Sequence, residues 1–212
     1  MTVAAPRACA IAIGVAAVLA ACQTTVSPGG SEGLNPGGPG RSSDASGMLD
    51  SPASPTPDVS VPAEIDASLL DYLPISVGDA MVEENVEEAA VAVSDPTLSR
   101  IATSVDVGVA LDRSSGNLVT AHVVRLREGA FDDAIYRQWR DTFDAGACAA
   151  AAGVEGRAET TIDGRTVFVT TCAADLRVYH VWIEDDGVLI SASSIGSGRF
   201  GELLMQNLRV QA

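Results

Sequence analysis

The sequence predicts an α+β domain built on a twisted, mostly antiparallel sheet, and three observations carry that prediction. Four strand-like segments follow one another between Arg157 and Ser194 with short turns between them. A helical stripe, Phe131, Ile135, Trp139 and Phe143, stands directly before them. Within the third strand segment, Val178 and Trp182 point one way and Tyr179, Val181 and Ile183 the other, so both faces need cover.

The elements follow in chain order from about Ala63. Ser94-Asp95-Pro96 offers a capping side chain with Pro near the first helical position, so a helix is expected to run to about Thr103. Val107 to Leu111 and Leu118 to Leu126 flank Ser114-Ser115-Gly116-Asn117 and read as a hairpin. The stripe from Phe131 predicts a helix over 131–145, which drifts at a strict spacing of four and is expected to end or bend near Gly146. Arg157–Ile162 and Thr166–Cys172 join through Asp163-Gly164, a turn that needs positive φ. Arg177–Glu184 and Val188–Ser194 join through Asp185-Asp186-Gly187 in the same manner, and a last helix is expected over 200–208. The 131–145 helix is expected on one face. The segments near Leu69-Leu70 and Leu98–Ile101 are expected on the other.

Ahead of this domain (63–212) the chain changes character twice. Residues 1–21 hold no acid and one base, Arg7, and Ala8 to Ala21 is uniformly small or apolar. At about 1.5 Å per residue this run reaches roughly 21 Å, short of the ~30 Å hydrocarbon core of a bilayer. Its length and charge order suit a cleavable export signal. Residues 23–62 contain 22 Gly, Pro or Ser and few apolar side chains, too few to offset the entropy of ordering them. The segment 22–62 reads as a disordered spacer with an end-to-end distance of about 30–40 Å.

Between signal and spacer stands Leu19-Ala20-Ala21-Cys22. These four residues resemble the lipobox of bacterial lipoproteins: an apolar residue, two small ones, then cysteine. The resemblance implies diacylglyceryl transfer to the Cys22 thiol, cleavage before it, and a chain held by palmitate-type acyl groups at the extracytoplasmic face of a cell membrane. Two or more acyl chains give stable anchoring at about 0.8 kcal/mol per buried methylene. The resemblance covers the leader alone.

Four cysteines then sort by position. Cys9 leaves with the signal and Cys22 takes the lipid, so Cys148 and Cys172 are expected to form a disulfide in an exported protein. All 13 basic residues are Arg, and loss of Arg7 with the signal moves the formal charge from −15 to −16. Such a balance argues against a nucleic-acid partner and against adsorption to anionic headgroups.

Chemistry-bearing motifs are sparse. Gly196, Gly198 and Gly201 spell G-x-G-x-x-G, but a dinucleotide site also needs a further strand and an acid about 20 positions on. Neither follows before Ala212, so the glycines are expected to serve a strand-to-helix turn. His122 and His180 are the two histidines, too few with their local spacing to suggest a metal site. No G-x-S-x-G elbow accompanies them. The acid pairs Glu83-Glu84, Glu87-Glu88, Asp132-Asp133 and Asp185-Asp186 read as solvated surface, and Trp139 and Trp182 as core. The expectation is a cofactor-free binding module for a small molecule, an envelope polymer or a protein. The alternative is an envelope hydrolase using His122 or His180, which predicts that a histidine shares a concave site with an acid or a serine.

Overall fold

Asp66, Asn85, Asp95 and Asp132 each precede a helix, and each side chain accepts a hydrogen bond from a backbone N–H two or three residues on. In the computed structural model these caps fix where every helix but the last begins. The structure describes residues 61–209. The signal segment, Cys22 and most of the spacer lie outside the described residues.

The elements in order are β1 (Glu64–Ile65), a 3-10 helix (Ala67–Tyr72), β2 (Ser76–Val77), β3 (Ala80–Met81), β4 (Glu83–Glu84), α1 (Val86–Val93), α2 (Pro96–Ile101), β5 (Ala102–Asp112), β6 (Asn117–Leu126), α3 (Asp133–Ala149), β7 (Val154–Ile162), β8 (Arg165–Cys172), β9 (Arg177–Ile183), β10 (Val188–Ile195) and α4 (Phe200–Gln206). The fold is α+β. Strands pair in the order β1-β5-β6-β10-β9-β8-β7, with β4 also joined to β5 and β2-β3 forming a separate hairpin. Among the described residues only β1 runs parallel to its neighbour; the other pairings are antiparallel. The hairpin β5-β6 and the meander β7-β8-β9-β10 therefore share one sheet, sewn together where β10 lies against β6.

Successive strand residues face opposite sides, and the core divides accordingly. Tyr179, Val181 and Ile190 pack with Leu69 and Leu73 beside the 3-10 helix and with Phe200, Leu204 and Met205 of α4. Leu189, Val124 and Val105 pack instead with Leu98 of α2, Ala92 of α1 and Tyr136 of α3. Leu69-Leu70 thus covers the face opposite α3, as expected, but Leu98–Ile101 lies on the same face as α3. The reason is a bulge at the start of β5: the register shifts between Ala102 and Ser104, so Ala102 and Val105 both turn toward α2, and the short connection carries that helix with them.

Three further differences have plain causes. The helix predicted from Ser94 ends at Ile101, because Ala102 and Thr103 already belong to β5. A separate helix, α1, precedes it, and its buried Ala89 and Ala92 give little apolar signal. Helix α3 runs through Gly146 to Ala149, and its buried face is Tyr136, Phe143, Asp144, Ala147 and Cys148. A helix turns 3.6 residues per turn, so the strict spacing of four leads Ile135 off the seam and Tyr136 onto it. Phe131 stands just outside, with its ring 6.0 Å from that of Tyr136, stapling the start of the helix.

Candidate functional site

Strand register lines up side chains on the α3 face. His122 stands opposite Ser191, Ser191 opposite His180, His180 opposite Phe168, and Phe168 opposite Glu159. Both histidines therefore flank one serine in the middle of the sheet. Phe143 of α3 stands edge-on to both imidazoles, at 5.5 Å from His122 and 5.4 Å from His180.

Hydrogen bonds continue this row. Trp139 Nε1–H donates to Ser191 Oγ at 2.9 Å, and Ser191 Oγ lies 2.9 Å from His180 Nδ1. On the other side of the ring, His180 Nε2 lies 3.0 Å from Asp144 Oδ1. Asp144 Oδ2 accepts from Thr170 Oγ1 at 2.6 Å and from Arg157 Nε at 3.3 Å. The directions close if the imidazole is neutral with its proton on Nε2: Ser191 then donates to Nδ1 and His180 donates to Asp144, an assignment made from the network. The electrostatics agree. Burial holds the His180 pKa below the ordinary value near 6.5 although Asp144 pulls it upward. Burial pushes the Asp144 carboxyl upward, yet the hydrogen bonds from His180, Thr170 and Arg157 outweigh it and leave the pKa below 3.8. The pair is an imidazole beside a carboxylate.

Serine, histidine and aspartate in hydrogen-bonded sequence are the parts of a nucleophilic relay. Access decides what they can do. Ser191 is 1% exposed and His180 0%. Trp139 and His180 both hydrogen-bond the Ser191 hydroxyl within the helix–sheet interface, and His180 and Asp144, but not Ser191, also line a cleft at the outer end of the row. The network holds α3 on the sheet by satisfying buried polar groups. His122 stands apart from it, with Nε2 3.6 Å from Glu88 Oε1.

The outer end of the row opens to solvent. A cleft of about 230 Å³ lies between α3 and strands β7 and β8, lined by Arg140, Asp141, Asp144, Arg157, Glu159 and Phe168 among others. Arg157 is half-exposed and ion-paired to Asp144, with Asp141 at 3.6 Å. Arg140 is held differently. Its guanidinium carbon sits 3.6 Å from the centroid of the Phe168 ring and 4.8 Å from that of Tyr136. Among the described residues no carboxylate pairs with it, and its buried Nε has no hydrogen-bond partner. The cleft therefore presents one cation without a counter-ion, stacked on aromatic rings, within reach of acidic side chains.

The remaining sequence candidates serve structure. Cys148, in the last turn of α3, is bonded to Cys172 at the end of β8, with Cα atoms 5.3 Å apart. The glycines at 196–201 fill tight contacts: Gly198 N–H donates to Asn117 Oδ1 at 2.8 Å, and Gly201 N–H to Ser194 Oγ at 3.0 Å. Among the acid pairs, Glu87-Glu88 opens α1, Asp132 caps α3 and Asp185-Asp186 lies in the β9-β10 turn. Among the described residues no group of three His, Cys, Asp or Glu side chains is arranged to hold a metal ion.

Asp144, Ser191, Arg140 and Arg157 were not singled out by the sequence. A signal exists for two of them. Asp144 interrupts the apolar seam between Phe143 and Ala147, and Ser191 interrupts Val188-Leu189-Ile190 and Ala192; a polar residue on a buried stripe needs a partner. No family model matches the chain, and neither a curated protein nor a solved structure matches it.

Proposed function

We propose that the chain is an exported lipoprotein, acylated at Cys22 and held at the extracytoplasmic face of a cell membrane, whose domain binds a small zwitterionic ligand in the α3 cleft. The observation that carries the binding reading is Arg140: a cation stacked on Phe168 and Tyr136 with a buried, partnerless Nε. An arginine so held presents its planar fork to a carboxylate or phosphate with little entropy left to lose. Glu159 and Asp141 line the same cleft and suit an ammonium group on the same ligand. Amino-acid and short-peptide termini combine these charges.

Calorimetric titration of the protein with alanyl-alanine, with acetate and with an uncharged disaccharide tests the reading. Heat of binding is expected with the dipeptide, weaker heat with acetate and none with the sugar, and Arg140→Gln is expected to abolish the first. Equal binding of dipeptide by Arg140→Gln overturns the site. The anchor has its own test: Cys22→Ser is expected to release the protein from the membrane fraction, and full retention there contradicts acylation.

The envelope hydrolase is favoured by the contiguity of Ser191, His180 and Asp144, and by His180 sharing the α3 cleft with Asp144, Asp141 and Glu159. A fluorophosphonate probe separates the two readings. The binding module leaves Ser191 unlabelled; labelling lost in Ser191→Ala installs the hydrolase.

A further inference from the structure

The two margins of the sheet are finished in opposite ways. At one, the outer edge of β5 is covered by the two-residue strands β1 and β4. At the other, the nine-residue β7 ends the sheet, and every residue from Glu155 to Thr161 is exposed. Among the described residues nothing pairs with the outer side of β7. A long open edge presents unpaired N–H and C=O groups and is a template for another strand. Here opposite charges are neighbours on one face: Arg157 and Glu159 both line the cleft, while the register shifts between Val154 and Gly156 and leaves Glu155 at a bulge.

The hairpin fixes which backbone groups point outward. Asp163 and Gly164 both have positive φ, 48° and 76°, which makes a two-residue turn closing on Ile162 and Arg165. That closing pair exchanges its hydrogen bonds within the hairpin, and the pattern alternates along the strand. Ala158 therefore bonds inward to β8, opposite Val169, while the N–H and C=O groups of Arg157, Glu159 and Thr161 point away from the sheet.

We infer that β7 pairs antiparallel with β7 of a second copy about a two-fold axis at Ala158, giving a continuous sheet through a homodimer. In that register each Arg157 faces Glu159 of the other copy, and the outward groups of these two residues form the hydrogen-bonded pairs. Ala158 faces Ala158 in a non-hydrogen-bonded pair, where a small side chain allows the close approach. Sliding the register by one pair in either direction sets Arg157 against Arg157, or Glu159 against Glu159. Cross-strand opposite charges stabilise and like charges oppose pairing, so charge complementarity selects a second copy in this one register. The inference rests on the edge strand and not on the cleft ligand.

Cysteine cross-linking in cells exporting the full chain tests it. Two cysteines at 158 would face each other in the non-hydrogen-bonded pair at Cα spacing of about 4.5 Å, a distance a disulfide can span. Ala158→Cys is expected to give a disulfide-linked species of twice the chain mass on a non-reducing gel, while the parent chain and Thr160→Cys run there without a covalent cross-link. Adding Glu159→Arg to Ala158→Cys replaces both opposite-charge pairs by like-charge pairs and is expected to lower the cross-linked fraction about tenfold. Sedimentation of the detergent-solubilised parent chain is expected to give a dimer. A monomer, cross-linking through Thr160→Cys as efficient as through Ala158→Cys, or a yield unaffected by Glu159→Arg would overturn the inference. So would a monomer whose Arg157 and Glu159 amides are protected from exchange, since the edge would then be occupied by the chain's own residues.

Discussion

His180 Nε2 lies 3.0 Å from Asp144 Oδ1 across an interface between helix and sheet in which neither side chain meets solvent. This contact links the middle of β9 directly to a carboxylate on α3, and four other polar groups gather around it. Its worth lies in completeness. Every polar atom of the Asp144 carboxylate and of the His180 ring has a partner, so taking one partner away leaves the rest buried and unsatisfied.

Asp144→Ala is therefore expected to destabilise the domain by about 1–3 kcal/mol, the cost of leaving the buried His180 and Thr170 donors without a partner. Urea denaturation followed by tryptophan fluorescence checks it, since Trp139 reports on the same interface. A loss below about 1 kcal/mol, the range of an exposed ion pair, would mean that water reaches the carboxylate.

The same network sets a pH dependence. His180 has a folded pKa below 6.5, so as the pH falls through 6.5 the unfolded chain binds a proton that the native imidazole refuses. Stability is fully present above that value and declines below it, by at most about 1.4 kcal/mol per pH unit from this one group. Asp144, lowered from 3.8, adds a second decline in the same direction when the pH drops under 3.8. Asp106 acts oppositely: burial raises its pKa, and the native state gains a proton first as acid is added. Denaturation midpoints at pH 7, 6 and 5 are expected to fall, and His180→Gln is expected to flatten that slope.

Much of this fold was legible because strand and turn chemistry are local. Asp163-Gly164 and Asp185-Asp186-Gly187 mark two turns of the meander, and Asp95-Pro96 marks the start of α2, without any knowledge of distant residues. What could not be read is what depends on packing. Asp144 looks like any helix acid until the sheet register brings His180 and Thr170 to it from strands 26 or more residues away. The cleft is still less visible, since Arg140 becomes a lone cation only through Phe168 and Tyr136 lying beneath it. Alternation also told that both faces of the sheet were covered, but not which face α2 took; that follows from the bulge between Ala102 and Ser104, which turns Ala102 to the same side as Val105.

Gly201 shows the same dependence on packing. A methyl group there would lie 2.2 Å from Tyr179 Cε2, 2.6 Å from Cδ2 and 3.0 Å from Ser194 Cβ. Tyr179 is itself buried in the core under α4 and cannot yield freely. Gly201→Ala is expected to cost about 1–3 kcal/mol, the usual range for overpacking. Gly156→Ala is the control: it meets nothing within 4 Å, and a surface change of this kind stays within about 0.5 kcal/mol. Equal midpoints for the two variants in thermal unfolding would contradict the close contact.

The disulfide supplies a final test because both of its sulfurs are inaccessible. Cys148 is 0% and Cys172 1% exposed, and they close a loop across 24 positions. Two consequences follow from different physics. The cross-link restricts the unfolded chain, so Cys148→Ser with Cys172→Ser is expected to lose about 3 kcal/mol. Burial protects the bond from thiolate attack, which requires access to a sulfur. Reduction by dithiothreitol is then expected to track unfolding, slow in buffer and rapid in urea above the transition. Free thiols counted by mass spectrometry after alkylation read both states. Fast reduction of the native protein would show that the end of α3 opens on its own, and the anchoring of the helix would then rest on its earlier turns, through Tyr136, Trp139 and the Asp144–His180 contact.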